Sequence, residues 1–266
     1  MILRRITKHV KDQNWFAVGL DFFIVVLGIL IAFQITNWSE ARQQSAELKR
    51  AEASIQTDLV RNYYNAQERL SLVDCRVNRI REISERLLEP GDDWQATPLR
   101  QTDIAPSRTL TLDPIFRSPS RLWGSRVWNA ELSRGTFSQM DQDRRDSLDV
   151  LFFQAERVQS LQEEIQRLQA RLNILSQTTT ISRPDRLRYY DTLSEIDHNS
   201  AMIELMAEQL SSSIINVGVE NLDEKTKSEI QSFLPEDNER RKAIYGDCAK
   251  PVELFFLDAP DEQVAP

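Results

Sequence analysis

The sequence predicts an all-α protein, in which an N-terminal transmembrane helix continues into a long amphipathic helix and an antiparallel, coiled-coil-like bundle. Three observations carry that fold class. An apolar run stands near the N-terminus, and apolar residues recur at near-heptad spacing along three later stretches. Only 7 of 266 residues are glycine, too few for the turns and bulges of an all-β architecture. With 41% hydrophobic and 28% charged residues the chain has the composition of a folded protein.

The elements follow in order. Residues 1–15 form a basic tail with Arg4, Arg5, Lys8 and Lys11. Residues 16–37 are the spanning helix. Phe22 to Phe33 has no polar side chain, and with its flanks the stretch reaches about 20 residues, the length that crosses a ~30 Å hydrocarbon core. Trp15 and Trp38 stand at its two ends, where indoles prefer the headgroup level. Two other readings stay open: a buried core helix, and a cleaved signal peptide with Ser39-Glu40-Ala41 as its small-x-small site. The basic residues favour a cytoplasmic N-terminus, with Arg42, Lys49 and Arg50 as the weaker set on the far side. In a bacterium that orientation puts the anchor in the inner membrane and the body in the periplasm.

Residues 38–89 are expected to be one long helix, because no proline or glycine occurs between Ala32 and Glu89. Leu59, Tyr63, Ala66, Leu70, Val73, Val77, Ile80 and Leu87 fall on its heptad grid, and Pro90-Gly91 stops it. Residues 90–118 form a proline-rich connection with Pro90, Pro98, Pro106 and Pro114, and Thr109 to Asp113 is a short strand candidate. Residues 119–247 form the bundle. Ser118-Pro119 is read as a helix start and Gly135 as its C-terminal cap. The next helix opens at Ser138/Asp141 and carries Leu148, Leu151, Phe152, Ala155, Val158, Leu161, Ile165, Leu168, Leu172 and Leu175. A third follows Pro184 through Leu187, Tyr190, Leu193, Ile196, Ile203, Met206, Leu210 and Ile214. Asn221 caps a short helix ending near Pro235, and Glu236 to Tyr245 adds two turns. Residues 248–266 are the C-terminal tail, whose Leu254-Phe-Phe-Leu257 run is expected to dock on the bundle.

Chemistry is scarce. The chain carries no zinc, nucleotide or nucleophile-elbow motif. His9 lies in the basic tail, His198 reads as a solvated or capping residue, and Glu163-Glu164 as a solvated helix face. A net charge of −8 disfavours a nucleic-acid partner. The sequence therefore points to no enzyme, no cofactor and no metal. Cys75 and Cys248 lack metal-motif spacing; in the periplasm they pair as a disulfide, and otherwise they are buried free thiols. Asp21, Val25, Gly28 and Ala32 share one face of the spanning helix, and the Gly28/Ala32 pair lets two helices approach closely. Asp21 either hydrogen-bonds across such a seam or reaches the headgroups. Trp123 and Trp128 are core anchors or part of an interaction groove.

The block FFIVVLGILIAFQITNWSE, with Asp21 just upstream and Asn37-Trp38-x-Glu40 at its end, resembles the anchor of an uncharacterised family of bacterial single-pass membrane proteins. Trp128 to Gly135, followed by Asp141 to Phe153, resembles the same family's turn and following helix. This chain has Asp21 where that family usually has glutamate. The resemblance implies a basic tail, an anchor and a helical body, and no site residues. Two functions remain in view. One is an anchored scaffold whose partners are membrane lipid and either copies of itself or another membrane protein. The other is a periplasmic ligand-sensing bundle that signals through a partner.

Overall fold

A computed structural model describes residues 15–96, 119–219 and 224–258, without the side chains of residues 15–18 and 21. The basic tail, the Thr109 to Asp113 strand, the Asn221 cap and most of the proline-rich connection lie outside them. Within these residues the chain is mostly helical and its helices pack on one another. The elements are α1 (Trp15–Leu70), α2 (Val73–Leu88), β1 (Asp93–Trp94), α3 (Arg126–Arg134), α4 (Gln142–Arg171), β2 (Thr179–Thr180), α5 (Arg183–Val217), α6 (Glu224–Tyr245) and α7 (Phe255–Asp258). Short 3-10 turns at Thr136–Gln139 and Asn173–Ser176 flank α4.

Contacts divide the chain into two units, Met1–Ala51 and Glu52–Pro266. The first holds the apolar part of α1, the one described helix long and apolar enough to cross a membrane. None of its most apolar window is buried, and Phe22, Phe23, Ile24, Val25, Ile29, Leu30, Phe33 and Ile35 all stand exposed.

The second unit has a core built from Ile80, Ile83 and Leu87 of α2, Val158, Ile165 and Leu168 of α4, and Leu193, Ile196 and Ile203 of α5. The α5 stripe is filled out by small or polar residues, Ser200, Glu204 and Ala207, while Leu187, expected on it, is exposed. Ser182 caps α5, its hydroxyl accepting from Asp185 N–H, with Pro184 in the first turn.

Several expectations are corrected. The 38–89 helix is broken at Ser71-Leu72, and the buried stripe slips there by one residue. Leu72, Cys75 and Arg76 turn inward, whereas Leu70, Val73 and Val77 are only half-buried; register returns at Ile80. The helix after the connection starts at Ser125, whose hydroxyl accepts from Trp128 N–H, and not at Ser118-Pro119. Gly135 does close that helix, in the left-handed conformation (φ 76°). Asp141 alone caps α4, because Ser138 is taken up by the preceding 3-10 turn. Pro235 does not end a helix: α6 runs straight through it to Tyr245.

The structure also holds an antiparallel pair that the sequence did not announce. Asp93 pairs with Thr180 and Trp94 with Thr179, extended by Ile181 N–H donating to the Asp92 carbonyl (2.7 Å). A two-residue strand has too little period to be seen. Trp94 anchors it, with its indole N–H on the Leu175 carbonyl (2.9 Å) and the Arg86 and Arg186 guanidinium groups 4.5 and 5.6 Å from its ring centroid. Arg183 and Arg186, in the first turn of α5, donate to the Leu88 and Arg86 carbonyls and so satisfy the C-terminal end of α2.

Candidate functional site

Three polar clusters of the second unit lie along the end of α1 and the break after it, from Asp58 to Arg76. The first grips an extended segment, Ser120 to Ser125, between α1 and α4. Gly124 N–H donates to Asn62 Oδ1 (2.9 Å) and Asn62 Nδ2 returns a bond to the Gly124 carbonyl (3.1 Å). Asn65 donates to the Leu122 carbonyl (3.0 Å). From the other side, Gln162 accepts from Arg121 N–H and donates to its carbonyl (3.2 and 2.9 Å), and Gln159 accepts from Trp123 N–H. Arg121 forks onto Glu68, both bonds 2.6 Å, and the Ser125 hydroxyl donates to Asp58. Side-chain amides thus do for this backbone what a neighbouring strand would do. Gly124 sits at φ +85°, a backbone conformation that favours glycine, while an added Cβ would meet Glu156 Cγ only at an ordinary 3.4 Å contact.

The second cluster is charged and interior. Arg76 forks onto Glu204 (2.6 and 2.7 Å) and also reaches Asp197. Arg69, 7% exposed, lies 3.8 Å from the same Glu204. Its Nε and Nη2 are buried without a hydrogen-bond partner. Burial pulls the Arg69 guanidinium down to about 10, against the upward pull of Glu204.

The third cluster clasps the C-terminal segment over the helix break. The Ser71 carbonyl, released from the α-helical ladder, accepts from Lys250 N–H (3.0 Å), and the Ser71 hydroxyl accepts from Arg241 (2.7 Å). Asp237 accepts from the Tyr64 hydroxyl (2.5 Å) and pairs with Arg240 and Arg241. Asn238 holds Val252 by accepting from its N–H (2.9 Å). Tyr63 meets Phe255 and Phe256 edge-on, and Val252, Leu254 and Phe256 are buried, so the apolar tail run is docked. Cys75 and Cys248 are joined by a disulfide, with Cα atoms 5.1 Å apart.

Burial alone pushes the Asp237 carboxyl up, but the Tyr64 hydroxyl, Arg240 and Arg241 outweigh it and hold the group below its ordinary 3.8. A carboxylate with a depressed folded pKa contributes stability that is whole above the unfolded value and is lost as pH falls through the folded one. Acidification below 3.8 is therefore expected to loosen α6 ahead of α4 and α5. Amide hydrogen exchange along an acid series checks this, and equal loss of protection in all three helices counts against it.

The anticipated site residues fall in different places. Val25, Gly28 and Ala32 lie on α1 with Val25 and Ala32 exposed and open space around Gly28; the Asp21 side chain lies outside the described residues. Trp128 is 1% exposed, stacked on Phe137 (4.7 Å) and close to Phe152 (5.6 Å). Trp123 is half-buried and its indole N–H donates to Gln162 (3.3 Å). Both are packing residues here. His198 is exposed on α5, and Glu163 accepts from Gln159. Among the described residues no group of three His, Cys, Asp or Glu is placed to hold a metal.

The amides of Asn62, Asn65, Gln159 and Gln162 were missed by the sequence reading. The available signal was their position: Asn62 and Asn65 flank the stripe residues Tyr63 and Ala66, in a helix interior that asparagine disfavours. The clusters hold segments together, and apart from Arg69 Nε and Nη2 these bonds join their side chains to one another and to backbone. That arrangement is chemically suited to positioning and to recognition.

No known protein family, no curated protein and no solved structure matches this chain.

Proposed function

We propose that the protein is a single-pass, membrane-anchored helical bundle that acts as an interaction or scaffold component of the bacterial inner membrane, without catalysis. Its N-terminus is cytoplasmic and its body periplasmic. It assembles with copies of itself or with another membrane protein, in keeping with the anchor family it resembles. The observation that carries this reading is the apolar stretch of α1, exposed from Phe22 to Ile35 except at half-buried Val26. Outside a bilayer such a surface would drive aggregation. The Cys75–Cys248 disulfide supports an oxidising compartment for the body. The burial of Trp128 favours a scaffold over a ligand sensor that uses its indole.

Two measurements on the full chain test the proposal. Membranes washed at alkaline pH are expected to retain the protein; release into the wash sinks the anchor. Chemical crosslinking in membranes is expected to give an oligomer that collapses when Gly28 and Ala32 are both replaced by leucine, since bulk on that face forces helices apart. Unchanged crosslinking moves the seam to another face, and a wild-type monomer with no crosslinked partner rules out the scaffold.

A further inference from the structure

At the C-terminal end of the apolar run stands a cation whose position no packing role explains. The Arg42 guanidinium lies over the Trp38 ring, 5.6 Å from its centroid. Trp38 itself is 65% exposed. Side chains on a helix lean toward its N-terminus, which is why Arg42 covers the residue one turn before it. Among the described residues Arg42 pairs with no carboxylate, although Glu40 and Glu47 are close in sequence and Glu47 accepts from Gln43 instead.

Depth decides what can meet that guanidinium. Trp38 is three residues past Ile35, about 4.5 Å further along the helix axis. The polar layer on each side of the hydrocarbon core is about 5–7 Å thick. Arg42, leaning back to the level of Trp38, therefore enters the layer that holds lipid phosphates. The guanidinium lies over the indole at a cation–π distance, and with no carboxylate on it among the described residues its N–H groups can present the fork that fits two phosphate oxygens.

We infer that Trp38 and Arg42 form a binding site for the phosphate of an anionic phospholipid in the leaflet at the C-terminal end of the span. The site rests on the membrane-anchor reading of α1. The indole fixes the depth and supplies the ring under the guanidinium, and Arg42 donates to the phosphate. Lys49 and Arg50 lie two turns or more beyond and are not part of it.

The test uses the full chain reconstituted into vesicles of equal parts phosphatidylglycerol and phosphatidylcholine. It is then extracted gently, and the lipid retained per chain is counted by native mass spectrometry. Wild type is expected to retain phosphatidylglycerol in preference to phosphatidylcholine. Arg42→Gln should lower that retention about fivefold, the size of one basic residue at an anionic surface. Arg42→Lys should fall between, because it keeps the charge and loses the planar fork. Excess inorganic phosphate should not displace the lipid. Equal retention by wild type and Arg42→Gln overturns the site, as does displacement by inorganic phosphate, which would make the ligand a free anion. Alkaline extraction of the same samples separates the two readings. A chain that stays in the membrane and shows no Arg42 dependence fails this site alone, whereas a chain that washes out fails the anchor and the site together.

Discussion

Glu204→Leu is expected to destabilise the body by about 3–5 kcal/mol, the usual result of removing one partner from a buried ion pair. Glu204 is shared by two arginines: Arg76 holds it with two short bonds and Arg69 lies 3.8 Å away. Its loss leaves Arg69 with no anion near, in a place where burial already drags its pKa down to about 10. Asp197 can still receive Arg76 at the half-open edge of the cluster, so the greater part of the penalty falls on Arg69. Guanidinium unfolding of the full chain in detergent measures it. A loss below about 1 kcal/mol would place these charges in the range of surface pairs and contradict their burial. Replacing Arg76 with methionine in the same chain should recover part of the loss, because the like-charge repulsion that Arg76 exerts on Arg69 is then removed. Recovery should stay incomplete while Arg69 remains.

The second large effect concerns the disulfide. Cys248→Ser is expected to lower stability by about 2–5 kcal/mol, the upper end reflecting how long a loop the bond closes. The separation is 173 residues. Asp237, Arg241 and Asn238 still tether the tail when the bond is gone, which favours the lower half of that range. Reductant should bring wild type to the same midpoint and leave the Cys248→Ser variant unmoved. A wild-type midpoint indifferent to reductant would mean that the clasp around Ser71 holds the tail without covalent help. Hydrogen exchange in residues 246–258 reports the same event locally, since Lys250 N–H loses its protection when it leaves the Ser71 carbonyl.

The Cys75–Cys248 pair was one of two readings open in the sequence, but the ion cluster of the first prediction and the helix break beside the disulfide are invisible along the chain. Arg69 and Glu204 read as two more charged positions on amphipathic helices. They lie 135 positions apart, and only the packing of α5 against α1 and α2 makes one the counter-charge of the other. Ser71 likewise gives no sign of a break along the chain, because no proline or glycine stands between Ala32 and Glu89. The break is held from outside by Lys250 N–H on the Ser71 carbonyl, the group the helical ladder would have used, and by Arg241 on the Ser71 hydroxyl, and locally by that hydroxyl donating to the Glu68 carbonyl (2.8 Å). A propensity of a few tenths of a kcal/mol per residue is outweighed by such tertiary bonds.

What the sequence determined by itself was whatever depends on short-range periodicity and on extremes of composition. The apolar run of α1, the long helices α4 and α5 with their inward stripes, the Gly135 cap and the proline start of α5 are all of that kind. Each is decided within a turn or two of helix, by spacing, by a left-handed backbone or by a fixed φ. Tertiary structure alone decided the rest: the slip of register at Ser71, the pairing of Trp94 with Thr179, the unbroken α6 across Pro235, and the amide grip on residues 120–125. Those features join groups tens of residues apart, and their free energy exists only once the partners are brought together. A single strand of sequence contains the donors and acceptors but not the distances between them.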